Sequence, residues 1–197
     1  MTPSQVLEEW FGELDADGGA SEETRKRWFA KDATFDAHLK ANYESAVDSA
    51  ARGELGWGDS AEERLAEIIL LDQFCRNIHR GSADMYKGDE RARRLAQQLL
   101  SSTAYQTLPT AQQAFVCMPL MHSEQLEDQD TCVRCFEQLE QQCPESQKDA
   151  AANYVKYARA HRDIVAKFGR FPHRNALLNR ASSPEEVAFL ETPGSSF

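Results

Sequence analysis

The chain has 197 residues, 41% hydrophobic, 27% charged and 9% aromatic, a composition that excludes disorder as the whole description. At this length a chain buries roughly 70% of its unfolded surface, enough for one core without disulfides or a structural metal. With 22 Lys and Arg against 32 Asp and Glu, the net charge of −10 argues against a general attraction to nucleic acid or to anionic membranes.

Glycine and proline punctuate the chain, and between them the apolar spacing is helical throughout. Val6, Leu7, Trp10, Phe11 and Leu14 recur at helical steps, with Ser4 placed to cap them. A second stretch runs from about Glu22 through Ala51. Ser21 and the acidic residues after it mark its start, Lys31-Asp32 is where it would break, and Trp28, Phe29, Phe35, Leu39, Tyr43 and Val47 form its buried stripe. Ser60-Ala61-Glu62-Glu63 opens the next helix as a capping box. Leu65, Ile68, Ile69, Leu71 and Phe74 make that helix apolar on most sides, hence central. Further helices are expected at about Asp89 to Ser101, Pro109 to Met121, Glu127 to Gln142, Ser146 to Phe168 and Ser183 to Leu190. The last combines a cap at Ser183, Pro184 at the first helical position and Glu186 two residues later. No alternating β-branched run supports a strand. The expected fold is all-α, a single domain over residues 1–197 with about eight helices stacked as antiparallel hairpins. No 34-residue period marks a true repeat.

The first twenty residues carry Glu8, Glu9 and Glu13 with no basic or apolar run of a signal peptide, so a cytoplasmic protein is expected. The most apolar window, Leu65 to Phe74, is interrupted by Glu67, Asp72 and Gln73 and falls short of the ~20 residues a membrane span needs. Cys75, Cys117, Cys132, Cys135 and Cys143 are an odd set in a chain without export signals, which favours reduced thiols. Cys132-x-x-Cys135 lies in a helical pattern without a second ligand pair, and reads as packing rather than as zinc or redox chemistry.

Three segments place polar groups beside strongly apolar ones. In Leu71-Asp72-Gln73-Phe74-Cys75-Arg76-Asn77-Ile78-His79-Arg80, an uninterrupted helix would gather Asp72, Gln73, Arg76, Asn77 and Arg80 on one face. Met118-Pro119-Leu120-Met121-His122-Ser123-Glu124 sets an imidazole and a carboxylate at a helix end. Gly169-Arg170-Phe171-Pro172-His173-Arg174-Asn175 is a turn dense in cations and aromatics after a helix carrying His161 and Arg162. These stretches, with Ser183-Pro184-Glu185-Glu186 and the closing Pro193-Gly194-Ser195-Ser196-Phe197, resemble the bacterial domain-of-unknown-function 924 family over nearly the whole chain. The resemblance implies a helical domain similar to tetratricopeptide-type folds and no established reaction. Three positions depart from the family pattern: Cys75 stands where proline is usual, Gln125 where an acidic residue follows the Ser-Glu pair, and Asn179 where glycine is usual. The first would leave the helix less sharply interrupted at Arg76.

Buried guanidinium groups are costly unless paired, so inward-facing arginine motifs need an explanation. One is structural: Asp72 pairs with Arg76, Glu124 with Arg170 or Arg174, and Asn77 and Asn175 cap helix ends. The other is a cleft in which Asp72, Arg76, Asn77, Arg80, Arg170, His173, Arg174 and Asn175 bind a small anionic molecule or a peptide carboxylate. As an enzyme, the protein would use His122 as general base, with Glu124 orienting it or acting as acid and an arginine stabilising negative charge. That scheme requires His122 to meet the Arg170–Arg174 turn in space. A metal site from His122, Glu124, His161 and His173 is conceivable, but lacks the i, i+4 histidine pairing that would make it specific, and no metal or familiar cofactor is expected. Phe189, Leu190 and Phe197 could fold the tail back, seating Phe197 on apolar surface and its carboxylate on an arginine.

Overall fold

The computed structural model describes residues 1–195. Helices α1 (Pro3–Phe11), α2 (Glu22–Phe29), α3 (Ala33–Arg52), α4 (Ala61–Ile68), α5 (Cys75–Ile78), α6 (Asp89–Leu100), α7 (Thr110–Met121), α8 (Leu126–Gln142), α9 (Lys148–Phe168) and α10 (Pro184–Leu190) account for most of the described chain, which carries no strand beyond one isolated Leu14–Ala20 bridge. The all-α class is therefore correct. No helix among the described residues is long and apolar enough to cross a membrane.

Local chemistry sets most of the helix ends. Ser60 with Glu63, and Ser183 with Glu186, form the two capping boxes expected. For α1 the cap is Thr2 rather than Ser4, because Pro3 takes the first helical position and Gln5 reaches back to the Thr2 amide. The long second stretch divides at Lys31-Asp32, where the Asp32 carboxylate caps the Thr34 and Phe35 amides of α3. Asn179 adopts a left-handed backbone with φ 54°, a conformation that asparagine tolerates better than other non-glycine residues.

The main core gathers around α1, α4, α7 and α8. Phe115 of α7 packs edge-on against Phe11, Trp10 and Trp28, with ring centroids 5.3, 5.6 and 4.6 Å away. The Trp28 indole donates to the Trp10 carbonyl at 2.8 Å, which satisfies one of the open acceptors at the end of α1. Phe29 departs from expectation. As the last residue of α2 it is 66% exposed, while Trp28 alone turns inward. Helices α8 and α9, joined by the short turn at 143–147, form the most extensive helix pair. A second, smaller apolar cluster of Ile164, Val165 and Phe171, flanked by Phe168 and Phe189, holds the C-terminal segment against α9. The seating expected for Phe197 lies outside the described residues.

The five cysteines are free thiols, four buried and Cys135 half-buried. The Cys132 thiol faces the Cys117 carbonyl at 3.6 Å, inside the α7–α8 contact.

One feature breaks helical regularity where the chemistry lies. Ile69–Phe74 is a π turn joining α4 to α5, in which the Cys75 amide reaches the Leu70 carbonyl five residues back. The interruption forms with cysteine at position 75, so proline is not required for it. The extra residue of a π turn lets side chains on both flanks face inward, and all six residues here are buried.

Candidate functional site

The site is built outward from Asp72, whose side chain is fully buried in the π turn. A buried carboxylate is tolerable only with donors on its oxygens. Oδ1 accepts from the Arg76 guanidinium at 3.3 Å and lies 2.7 Å from His122 Nδ1, and Oδ2 accepts from the Gln73 amide at 2.6 Å. Burial alone would push the Asp72 carboxyl up, but His122, Arg76 and Gln73 together hold it well below the ordinary range, so it is ionised. An ionised partner fixes the tautomer of His122: Nδ1 carries the hydrogen and Nε2 the lone pair. Burial keeps the His122 pKa below its ordinary value despite the pull of Asp72, and Arg76 adds to the lowering.

Arg76 continues the chain of contacts. It donates to Asp89 Oδ1 at 2.8 Å, and Asp89 Oδ2 accepts from Arg174 at 3.2 Å. Asp89 thus bridges two guanidinium groups that lie 98 positions apart in the sequence, Arg76 and Arg174. Both lie over the ring of Tyr86, with centroid distances of 5.5 Å for Arg76 and 4.7 Å for Arg174, and Phe171 covers Arg174 at 4.7 Å. Arg174 also donates to the His122 carbonyl at 2.9 Å. The condition that His122 meet the Arg170–Arg174 turn is therefore satisfied through Arg174. Burial, followed by the neighbouring Arg76 charge, lowers the Arg174 pKa.

The helix end presenting His122 is held by side chains that sequence spacing does not reveal. The buried Gln129 amide donates to the Met121 and Ser123 carbonyls, both at 2.7 Å, satisfying open acceptors after α7. The Ser123 hydroxyl donates to Asp128 at 2.6 Å, so Ser123 fixes the turn. His161 and Phe171 close the other side, with ring centroids 6.4 Å from His122 to His161 and 5.6 Å from His161 to Phe171. His161 Nδ1 donates to the Tyr157 carbonyl at 2.8 Å. Burial pushes His161 down to about 3, and burial with the Arg174 charge pushes His173 down to about 4, so three neutral imidazoles surround the arginines.

The remaining expected residues go elsewhere. Asn77 and Arg80 do not join Arg76: Asn77 lies one helical step of about 100° round α5, on the side that packs on α3, and Arg80 lies beyond the end of α5 at Ile78. Asn77 donates to Asp36 at 2.9 Å and Arg80 donates to the same carboxylate at 2.6 and 3.0 Å. Glu124 neither orients His122 nor pairs with Arg170 or Arg174. It accepts two bonds from Arg180, at 2.6 and 2.8 Å, and one from the Phe171 amide at 2.8 Å. Despite its burial, Arg180 and that amide hold Glu124 below the ordinary carboxylate range. Arg170 forks onto Glu186 at 2.7 and 2.8 Å, and Asn175 binds Ser182 and Glu186 rather than capping a helix, so both fasten α10. The network therefore divides into a core of Asp72, Arg76, Asp89, His122 and Arg174, a clamp on α3, and a C-terminal fastening. Asp89, Tyr86 and Arg180 were not expected from the sequence. Among the described residues no three His, Cys, Asp or Glu side chains are placed to hold a metal ion. A wide open groove does exist, but it lies between α2 and α9 beside Phe29, Tyr154 and Tyr157, away from these residues.

Comparison with known proteins gives the same picture along the whole length. The family described as a bacterial protein of unknown function (DUF924) matches residues 6–194. The solved structure of a protein of unknown function, ATU0120 from Agrobacterium tumefaciens, is similar at 34% identity over 96% of each chain, with a TM-score of 0.78. No curated protein matches the chain. With its motifs, its helices and its full-length match in agreement, the chain belongs to the DUF924 family.

Proposed function

We propose that the cluster of Arg76, Arg174 and His122 binds a small anion. The observation that carries this reading is a pair of unmet donors: Nε of Arg76 and Nε of Arg174 are buried and have no hydrogen-bond acceptor among the described residues. Buried charged donors call for an acceptor. Nε of Arg27 and of Arg64 also lack one, but Arg27 is engaged at the end of α1 and Arg64 with Asp59 and Gln98, whereas Arg76 and Arg174 stand together. Both guanidinium groups share Asp89 and the Tyr86 ring, so the two donors belong to one cluster. Forked guanidinium groups suit carboxylate, sulfate and phosphate. The half-buried edges of Arg76, His122 and Asp89 are where such an ion would enter. A small molecule fits better than a peptide, because the open groove lies elsewhere.

Thermal denaturation in sulfate, phosphate and acetate tests the reading. At least one of these anions raises the melting temperature of the wild type beyond its effect on Arg174→Ala. Equal shifts in the two proteins, or none in either, would overturn it.

The 2.7 Å contact between His122 and buried Asp72 supports a second reading, a cofactor-independent enzyme with His122 Nε2 as general base on a bound anionic substrate. For any substrate found, His122→Gln should then lower kcat far more than it raises KM; an equal effect on both would count against the base.

A further inference from the structure

Among the described residues, the charges around His122 balance without it. Facing its ring from the π turn and α5 are Asp72 and Arg76, and from the start of α6 comes Asp89. From the turn after α9 come His173 and Arg174, and from α9 itself comes His161. Tyr86 lies beyond the two arginines, with Glu124 and Arg180 paired alongside. Two guanidinium groups thus meet two carboxylates, Arg180 cancels Glu124, and the imidazoles are uncharged. An anion arriving against Arg76 and Arg174 brings a negative charge for which the described residues around His122 offer no spare cation, and an uncompensated buried charge is costly.

His122 is the neighbour able to supply the missing charge. Its Nδ1–H already points at an ionised carboxylate 2.7 Å away, so a second proton makes an imidazolium stabilised from that side. The Nδ1 of His161 donates to a carbonyl rather than to a carboxylate, and His173 lies under the repulsion of Arg174. We propose that the site takes up its anion together with one proton, which lodges on Nε2 of His122, so that the net species bound is the acid form of a small oxyacid. This rests on the anion reading above.

Calorimetric titration of sulfate and acetate into the full chain near about pH 7, in buffers of different ionisation enthalpy, counts the protons taken up; these anions stay deprotonated there, so the proton is the protein's. The expected result is uptake approaching one proton per anion in the wild type and none in His122→Gln. Apparent affinity should fall about tenfold per pH unit on the alkaline side. Should His122→Gln fail to fold, histidine 15N spectra of the wild type decide instead: anion addition must turn the His122 ring from neutral to imidazolium. Binding without proton uptake, uptake retained in the variant, or a His122 ring that stays neutral overturns this proposal alone. Binding of neither anion, with phosphate also failing to raise the melting temperature of the wild type beyond its effect on Arg174→Ala, overturns the anion reading and the proposal with it.

Discussion

Gly88 presses against the carbonyl of Leu71 within the π turn: a Cβ at position 88 would fall 2.4 Å from the Leu71 oxygen. With φ −91° the backbone there is ordinary, so the glycine is needed for space alone. The obstacle is main chain and cannot swing aside. Gly88→Ala should cost about 1–3 kcal/mol in denaturant unfolding, with the shift transmitted to Asp89 next door. An unchanged midpoint would mean that the two segments separate freely.

Asp72→Asn keeps the shape of the buried side chain and removes its charge. Arg76 loses one of its two carboxylates, and the variant should lose about 3–5 kcal/mol of stability. The pKa of His122 should also fall further, because Asp72 is the group pulling it up against burial. NMR titration of the histidines checks the second point independently of the first.

Acid should unfold the protein in two stages with distinct causes. Histidines in the unfolded chain take up protons below about pH 6.5. Burial holds the folded His161 down to about 3, so the native state stays unprotonated there and stability falls as pH drops from about 6.5 toward that value. The slope from this residue is at most about 1.4 kcal/mol per pH unit. Glu186, held at about 2 by Arg170 and the Ser183 amide, acts lower: its contribution is intact above the ordinary carboxylate range and is lost as pH falls toward 2. Urea midpoints against pH for the wild type and His161→Phe would show the first stage flattened in the variant.

Arg180 fastens the C-terminal segment at one point. Besides its fork on Glu124 it donates to the Asn175 side chain at 3.0 Å and the Phe171 carbonyl at 3.2 Å. Arg180→Ala should cost about 1.5–3 kcal/mol, felt locally. Amide exchange should accelerate over residues 170–190 and stay unchanged in α4. A uniform loss of protection would contradict the separateness of the small cluster around Phe171.

Local features were legible in the sequence. The capping boxes at Ser60 and Ser183 and the break at Asp32 involve residues within a turn of each other, and pattern reading finds those. The pairing of Asp72 with Arg76 was legible for the same reason. The π turn was not, because Ile69 to Phe74 is apolar on most sides and an all-round apolar pattern carries no phase. Asn77 and Arg80 read as neighbours of Arg76 only if a helix continues through Arg80; α5 ends at Ile78, Asn77 sits about 100° round it, and both side chains turn to Asp36. Asp89 read as a helix-start acid; its second role depends on Arg174, 85 positions away, and spacing says nothing about such a contact. Glu124 found Arg180 rather than the arginines of the recognisable motif, since all three cations follow α9 and the fold alone decides among them.

The π turn also has a consequence for chain length. Such a turn is one residue inserted into an α-helix, absorbed locally so that the segments on either side keep their facing. A single-residue deletion within Ile69–Phe74 would therefore let α4 and α5 run on as one regular helix, still seated on their neighbours, while disturbing the placement of Asp72. A deletion elsewhere in either segment would swing everything beyond it by about 100° and take the packing with it. In this rod the scaffold and the polar cluster are separable by one residue, and the place to separate them is the stretch that holds Asp72.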